Sequence, residues 1–311
     1  MSGTELSRTR AWVLAARPQT LPAAAAPVVV GAGLAWHTDV FALLPTLAAF
    51  VGAALIQIGT NFANDYYDAI QGADTDAREG FTRVTQSGLI APQSVKRAMY
   101  LTFAAAIVVG SYLVYVGGLP ILLVGLLSVA SGIAYTGGPY PLGYHGLGDL
   151  FVFVFFGVIA VMGTYYVQAT AVLADPLSIG IPPQTVTWTA FLASLPVAAL
   201  STNILVVNNI RDREEDVTTG KRTLAVRFGY RFSRLQFAGL AGVAYVIPGW
   251  LWLAEGFGPT VLLPLLTLPI AVVLTRTVRT ETSGAALNPA LETTGKLLAA
   301  YSALFGLGLA L

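Results

Sequence analysis

The stretch FALLPTLAAFVGAALIQIGTNFANDYYDAIQGADTD, residues 41–76, joins a long apolar run to an acidic segment. Residues 41–60 contain no charged side chain. Four aspartates follow this run: Asp65, Asp68, Asp74 and Asp76. A helix needs about 20 mainly apolar residues to cross the hydrocarbon core of a bilayer. The stretch therefore predicts a transmembrane helix that presents carboxylates where it leaves the membrane.

The composition of the whole chain extends this interpretation to all 311 residues. The chain is 55% hydrophobic and only 11% charged, whereas a soluble domain carries about 25% charged residues. The absence of cysteine excludes disulfides, thiolate nucleophiles and cysteine-based metal sites. The sequence contains no basic run of the kind that binds a phosphate backbone, so we expect no nucleic-acid partner. We therefore predict an all-α, polytopic membrane protein whose partner is the lipid bilayer.

The apolar segments predict nine transmembrane helices. Their predicted bounds are 18–36, 41–64, 95–116, 119–135, 148–171, 187–209, 233–254, 259–277 and 291–310. With this count, all 17 Lys and Arg residues fall in the N-terminal arm or next to the loops that follow spans 2, 6 and 8. Cytoplasmic loops carry the excess of basic residues. We therefore expect a cytoplasmic N-terminus in a multi-pass protein of the cytoplasmic membrane.

A second acidic segment repeats the pattern of the first. Span 6 leads into STNILVVNNIRDREEDVTTGKRTLAVRFG, residues 201–229. The sequences NDYYD, residues 64–68, and NNIRD, residues 208–212, both read N-x-x-x-D at the cytoplasmic end of an even-numbered span. The repetition indicates an internal duplication that supplies two acidic segments, 61–76 and 208–223, on the same side of the membrane.

Helical spacing places the oxygen-bearing side chains of each segment on one face. The face in the first segment comprises Asn61, Asn64, Asp65 and Asp68, and the face in the second comprises Asn208, Asp212 and Asp216. Oxygen ligands suit Mg²⁺, which commonly binds one or two carboxylates together with substrate phosphates. Two such faces opposed across a cavity predict a Mg²⁺–diphosphate site. Arg83, Lys221 and Arg222 are the candidate phosphate contacts.

Other interpretations compete for several of these residues. Ordinary solvated loops explain the remaining acids, Asp76, Glu79, Glu214 and Glu215. The segment YTGGPYPLGYHGLGD, residues 135–149, is either a compact turn with interfacial tyrosines or a loop over a cavity. In the second case Tyr135, Tyr140 or Tyr144 would hold an aromatic or cationic species. A divalent-cation transporter could also use the acids, but transporters usually bind ions near the midplane of the bilayer.

The two acidic segments resemble the paired Asp-rich motifs of the UbiA superfamily of intramembrane prenyltransferases. NDYYDAIQGADT is similar to the branch that prenylates 1,4-dihydroxy-2-naphthoate. Three further stretches fit that branch: RPQTLPAAAAPVVVG (17–31), RVTQSGLIAP (83–92) and YPLGYHGLGDLFVFVFFG (140–157). Many superfamily members carry an aspartate where this chain has Gly72, so Asp74 is the candidate metal ligand in its place.

The resemblance implies a single domain, residues 1–311, with nine helices around a central cavity and a lipid-open slot for an isoprenoid tail. It implies an enzyme that uses Mg²⁺, with Mn²⁺ as a substitute, and an active site that faces the cytoplasm. The expected reaction transfers a polyprenyl group from an isoprenyl diphosphate to 1,4-dihydroxy-2-naphthoate, with loss of CO₂ and diphosphate, and gives demethylmenaquinone. Arg17 is a candidate contact for the acceptor carboxylate. Other aromatic acceptors, 4-hydroxybenzoate or homogentisate, remain alternatives.

Overall fold

The computed structural model describes residues 7–70 and 84–311, and all regular elements in these two ranges are helices. The α-helices are α1 (Arg8–Ala16), α2 (Leu21–His37), α3 (Leu43–Ile70), α4 (Pro92–Ala134), α5 (Gly148–Phe151), α6 (Ala160–Leu173), α7 (Trp188–Arg211), α8 (Arg213–Thr218), α9 (Leu224–Ala254), α10 (Leu268–Thr280) and α11 (Gly284–Ala310). Three 3₁₀ segments, Pro18–Thr20, Leu142–His145 and Pro259–Thr267, join some of these helices. A π-helix, Val152–Ile159, links α5 to α6.

The structure confirms the all-α, membrane-spanning class. Within the described ranges, seven helical stretches are long and apolar enough to cross a membrane. One of them, α4, covers both the third and the fourth predicted spans. The ninth predicted span lies within α11, which is not among the seven. The chain is therefore an integral membrane protein, and the count of nine stays a prediction.

The break inside α4 depends on a glycine. Gly118 has φ +67° and ψ −157°, and its neighbour Leu119 donates its backbone N–H to the Ser178 carbonyl at 2.9 Å. A Cβ at Gly118 would lie only 1.9 Å from that carbonyl oxygen. Only glycine combines this backbone conformation with so close a contact. Gly118 therefore marks the break in α4 between the third and the fourth predicted spans.

The most deeply buried helix is α7. It lies against α2, α6, α9, α11 and the π-helix, so few of its side chains remain for lipid. The neighbouring helices α2 and α11 approach closely, and a Cβ at Gly33 would lie 2.2 Å from the Gly306 carbonyl oxygen. Small residues at such contacts allow the backbones of membrane helices to pack together. This packing fixes the C-terminal end of α7, which carries the second acidic segment.

The sequence did not predict helix α1. It begins after Ser7, whose hydroxyl accepts the Arg10 N–H, and it ends at Arg17 with φ +51°. The left-handed conformation of Arg17 turns the chain into the 3₁₀ segment and α2. Trp12 of α1 packs edge-on against Phe62 of α3. The N-terminal arm is thus packed against the helix that carries the first acidic segment.

Candidate functional site

A polar cavity of about 250 Å³ lies where the ends of α3 and α7 meet the chain that follows α4. The predicted site residues that line it are Arg17, Asn61, Asn64, Asp68, Tyr135, Tyr144, Asn208, Asp212, Asp216 and Lys221. Asp65 and Arg222 do not line it. Arg83 and Asp74 lie outside the described residues. Both acidic segments therefore contribute side chains to one cavity.

The two aspartates at the end of α3 have different surroundings. Asp68 lines the cavity, and its Oδ1 accepts a hydrogen bond from the Tyr144 hydroxyl at 2.6 Å. Asp65 is fully buried, and its Oδ2 accepts the Thr85 N–H at 3.1 Å and the Thr85 hydroxyl at 2.6 Å. Its Oδ1 lies 4.0 Å from the guanidinium of Arg17. Asp65 thus connects α3 to Arg17 and to the segment that contains Thr85, outside the cavity wall.

The asparagines of the first segment hold neighbouring elements against α3. Asn61 donates its amide to the Ala16 carbonyl and to the Thr20 hydroxyl, both at 2.9 Å. These bonds fix both sides of the turn that contains Arg17. Asn64 accepts a hydrogen bond at 2.9 Å from Thr136, which follows α4. The amides therefore define the wall of the cavity around Asp68.

Arg211 dominates the second segment, and sequence reasoning missed it as a site residue. Its guanidinium makes two parallel hydrogen bonds to the carboxylate of Asp212, at 2.6 and 2.8 Å. It also donates to the side-chain oxygens of Asn208, at 2.6 Å, and Asn288 of α11, at 2.7 Å. Such bidentate pairs are strong and geometrically specific. The sequence feature that could have identified this role is the basic residue within NNIRD, Arg211 itself.

The helical progression continues past the end of α7. Asp212 caps α7, and its carbonyl accepts the Asp216 N–H at 2.8 Å, so Asp216 remains one turn further along. Lys221 places its ammonium 3.9 Å from the Asp216 carboxylate and 4.9 Å from the centre of the Tyr144 ring. The Arg222 N–H donates to the Tyr144 carbonyl at 2.7 Å, while its side chain is exposed.

Tyr135 lies at the end of α4 and lines the polar cavity. Burial raises the pKa of its phenol far above the ordinary value, and the nearby carboxylates of Asp149, Asp68 and Asp216 raise it further. A Cβ at Gly148 would lie 2.9 Å from the phenol oxygen, so a larger residue would crowd it. The phenol therefore stays protonated at neutral pH and can act as a hydrogen-bond donor.

A larger, apolar cavity of about 590 Å³ adjoins the polar one. Helices α2, α3, α4 and α6 and the π-helix form its wall. The two cavities share Gln57, Thr60, Tyr135, Val152 and Phe156. A molecule with a charged end and a long apolar end can therefore occupy both cavities at once.

The donor set of the polar cavity fits Mg²⁺. The carboxylates of Asp68, Asp212 and Asp216 and the amides of Asn64 and Asn208 offer hard oxygen ligands. Across the described part of the chain, no three His, Asp or Glu side chains stand close enough to hold an ion by themselves. A Mg²⁺ ion bound here would complete its coordination with water and phosphate oxygens, as is usual for this ion.

Comparisons with known proteins show the family to which the chain belongs. The sequence matches the UbiA prenyltransferase family over residues 24–291. The chain belongs to this family. It is 38% identical to the 1,4-dihydroxy-2-naphthoate octaprenyltransferase of Mycobacterium tuberculosis, with 91% of each chain covered. It is 37% identical to the enzyme of the same name from Escherichia coli, with 99% of this chain and 98% of that relative covered.

The fold of UbiA proteins is also found in solved structures. A UbiA homolog from Archaeoglobus fulgidus bound to DMAPP and Mg²⁺ superposes with a TM-score of 0.58 at 15% identity. The match covers 94% of this chain and 98% of that homolog. At this identity the likeness establishes the UbiA fold, and the site must be argued from the residues of this chain.

Proposed function

We propose that this UbiA protein transfers a polyprenyl group from an isoprenyl diphosphate to 1,4-dihydroxy-2-naphthoate, with loss of CO₂ and diphosphate, and so forms demethylmenaquinol, the reduced form of demethylmenaquinone. The observation that carries the proposal is the junction of two cavities. The polar cavity bears both acidic segments, and the apolar cavity shares five residues with it. An isoprenyl diphosphate has a matching charged head and apolar tail. The names of the two bacterial relatives support the naphthoate acceptor.

The residues of the polar cavity have distinct roles in this reaction. Asp68, Asp212 and Asp216, with Asn64 and Asn208, would hold Mg²⁺, which supplies Lewis-acid stabilisation of the departing diphosphate. Mn²⁺ can replace Mg²⁺, since both suit oxygen ligands. Lys221 lines the same cavity and can donate to phosphate oxygens, while Arg211 holds Asp212 and Asn208 in position. Arg222 is exposed and does not line the cavity, so it makes no phosphate contact in this reaction.

The bond that breaks joins the allylic carbon to the diphosphate oxygen, and the electron pair leaves with diphosphate. The resulting allylic cation is attacked by the ring carbon that bears the carboxylate, and loss of CO₂ returns the electrons to the ring. The apolar cavity that adjoins the site would keep water away from the cation. Arg17 lines the cavity beside Asp65 and can hold the acceptor carboxylate without a bidentate clamp.

The site belongs on the cytoplasmic side of the cytoplasmic membrane. The Lys and Arg residues concentrate in the same chain segments as the site, including the N-terminal arm and the loop that contains Lys221. Since basic residues favour the cytoplasmic side, this distribution supports a cavity that opens toward the cytoplasm. We also propose that residues 1–311 form one prenyltransferase domain, because both acidic segments complete a single cavity.

The decisive experiment combines purified protein, an isoprenyl diphosphate and carboxyl-labelled 1,4-dihydroxy-2-naphthoate, with Mg²⁺ or with a chelator. We expect one diphosphate and one labelled CO₂ per prenyl group transferred, and no turnover in the chelator. Diphosphate release with the label retained in the product would replace the naphthoate with an acceptor such as 4-hydroxybenzoate or homogentisate. Failure of every acceptor, together with Mg²⁺ uptake into proteoliposomes, would favour the transporter alternative.

A further inference from the structure

Asp149 is a buried carboxylate that the acidic segments do not include. It lies in α5 at the start of a membrane-spanning stretch, and only 6% of its surface is exposed. Its Oδ1 accepts a hydrogen bond at 2.9 Å from the amide of Gln236 in α9. Its Oδ2 accepts one at 3.4 Å from the amide of Asn209 in α7. Asp149 thus connects three helical elements through two neutral amides.

A carboxylate in this position is costly. No Lys, Arg or His of the described ranges forms an ion pair with Asp149. Ionisable residues within membrane spans are rare, and they usually mark a functional site. Two amide donors reduce the cost of burial, but an apolar side chain would avoid it. We therefore expect Asp149 to have a role beyond packing. Its hydrogen bond with Asn209 indicates what that role is.

Asn209 lines the polar cavity beside Asn208 and Asp212. Its Nδ2 donates to Asp149, which decides which way the amide group faces. Because Nδ2 faces Asp149, the carbonyl oxygen of the same amide group is directed away from Asp149. Asp149 therefore selects one of the two possible amide orientations. In that orientation the cavity receives a hydrogen-bond acceptor.

We propose that Asp149 is a positioning residue that holds the Asn209 carbonyl toward the cavity, where it accepts a hydrogen bond from a ring hydroxyl of the aromatic substrate. This inference rests on the proposed function, since it names a contact for the acceptor of that reaction. The diphosphate of the donor is acceptor-only and gains nothing from a carbonyl oxygen. If this oxygen were instead a ligand of Mg²⁺, its loss would raise the KM of the isoprenyl diphosphate, so the two substrates distinguish the two roles.

The first test is Asp149→Asn in the full-length protein, assayed with each substrate varied in turn. The new amide offers one acceptor oxygen to two donors, Gln236 and Asn209, and its NH₂ group can donate to the Asn209 carbonyl, so the orientation of the Asn209 amide is no longer fixed. We expect the KM for 1,4-dihydroxy-2-naphthoate to rise about three- to tenfold, as for the loss of one neutral hydrogen bond. The KM for the isoprenyl diphosphate should stay within about twofold of the wild-type value. Asp175→Asn, at an exposed acid outside the site, is the matched control.

The second test exchanges the two side chains. In the double variant Asp149→Asn/Asn209→Asp, the amide at position 149 donates to the carboxylate at position 209, which leaves an oxygen free to face the cavity. We expect its KM for the naphthoate to lie below that of either single variant. Asn209→Asp alone places two carboxylates together, and its KM should rise. A merely structural role for Asp149 would not produce this recovery.

Several outcomes would overturn the inference. These are an unchanged KM for the naphthoate in Asp149→Asn, an equal rise in the KM of both substrates, or additive losses in the double variant. If Asp149→Asn does not fold, Asn209→Ala keeps the test open, because it removes the carbonyl and leaves the bond from Gln236 to Asp149. The proposed function has a separate failure, which is absence of turnover by the wild-type protein.

Discussion

The two acidic segments share the pattern N-x-x-x-D, yet their final aspartates bind different partners. In the first segment Asp68 accepts a hydrogen bond from the phenol of Tyr144 at 2.6 Å. In the second, Asp212 receives two hydrogen bonds from the guanidinium of Arg211. The pattern places each aspartate at the end of a long helix that faces the same cavity. The elements packed against that end decide which donor the carboxylate receives.

The residues that follow the first asparagine differ in a complementary way. In the first segment this residue is Asp65, whose carboxylate is bound by Thr85 and lies near Arg17. In the second it is Asn209, whose amide donates to the carboxylate of Asp149. The carboxylate lies on the long helix in one case and on the neighbouring element in the other. A repeated sequence pattern therefore does not imply a repeated charge distribution.

The largest expected effect tests whether both segments are needed. Asp68→Ala and Asp212→Ala should each reduce kcat/KM at least about a hundredfold, because each removes an oxygen ligand for the ion that stabilises the leaving diphosphate. Diphosphate release measures the effect, and Asp175→Ala is the control at an exposed acid. Near-wild-type activity in either variant would mean that only one segment serves the reaction.

The sequence was sufficient to predict the helical, membrane-spanning class because apolar length is a local property. The predicted span 41–64 corresponds to α3, which extends further, to Ile70. That extension is physically reasonable, since Asn61 and Asn64 bond to residues outside the helix and Asp68 bonds to Tyr144. Polar residues that find partners at the membrane surface allow a helix to continue beyond its apolar stretch.

Tertiary partners were beyond the reach of sequence patterns. Spacing identified Asp65 as a candidate ligand, but its bonds to Thr85 depend on how the chain returns after the first segment. The pair of Arg211 and Asp212 is adjacent in sequence, yet only the contact of Arg211 with Asn288 shows the guanidinium turned inward. Asp149 and Asn209 belong to different helices, so no local pattern could connect them.

A prediction of intermediate size concerns stability. It compares the loss of unfolding free energy when Asp212 or Asp68 is replaced by asparagine. Asp212→Asn leaves the guanidinium of Arg211, which is almost fully buried, without its carboxylate. We expect this variant to lose about 2 kcal/mol of unfolding free energy, since breaking a buried ion pair is costly. Asp68→Asn should lose less, because its amide oxygen can still accept from Tyr144. Thermal unfolding followed by tryptophan fluorescence compares the two.

A second substitution tests the cause of this difference. In Asp212→Asn/Arg211→Met the unpaired cation is absent, so the Tm should recover toward the wild-type value. The Asp68→Asn variant serves as the reference for loss of one cavity carboxylate. An equal fall in Tm for both single variants would contradict the distinction between a phenol-bound and a guanidinium-bound aspartate.

The smallest expected effect tests the phenol itself. Tyr144→Phe removes the hydrogen bond to Asp68 but keeps the ring over which Lys221 lies. Without that donor the Asp68 side chain is less well oriented toward the cavity, so the Mg²⁺ concentration for half-maximal activity should rise about three- to tenfold. Tyr140→Phe is the matched control, since this exposed ring stacks on His145 in the same loop. An equal shift in both variants would assign the effect to the loop. A shift confined to Tyr144→Phe would mean that a neutral donor prepares Asp68 for the metal, whereas a fixed cation orients Asp212.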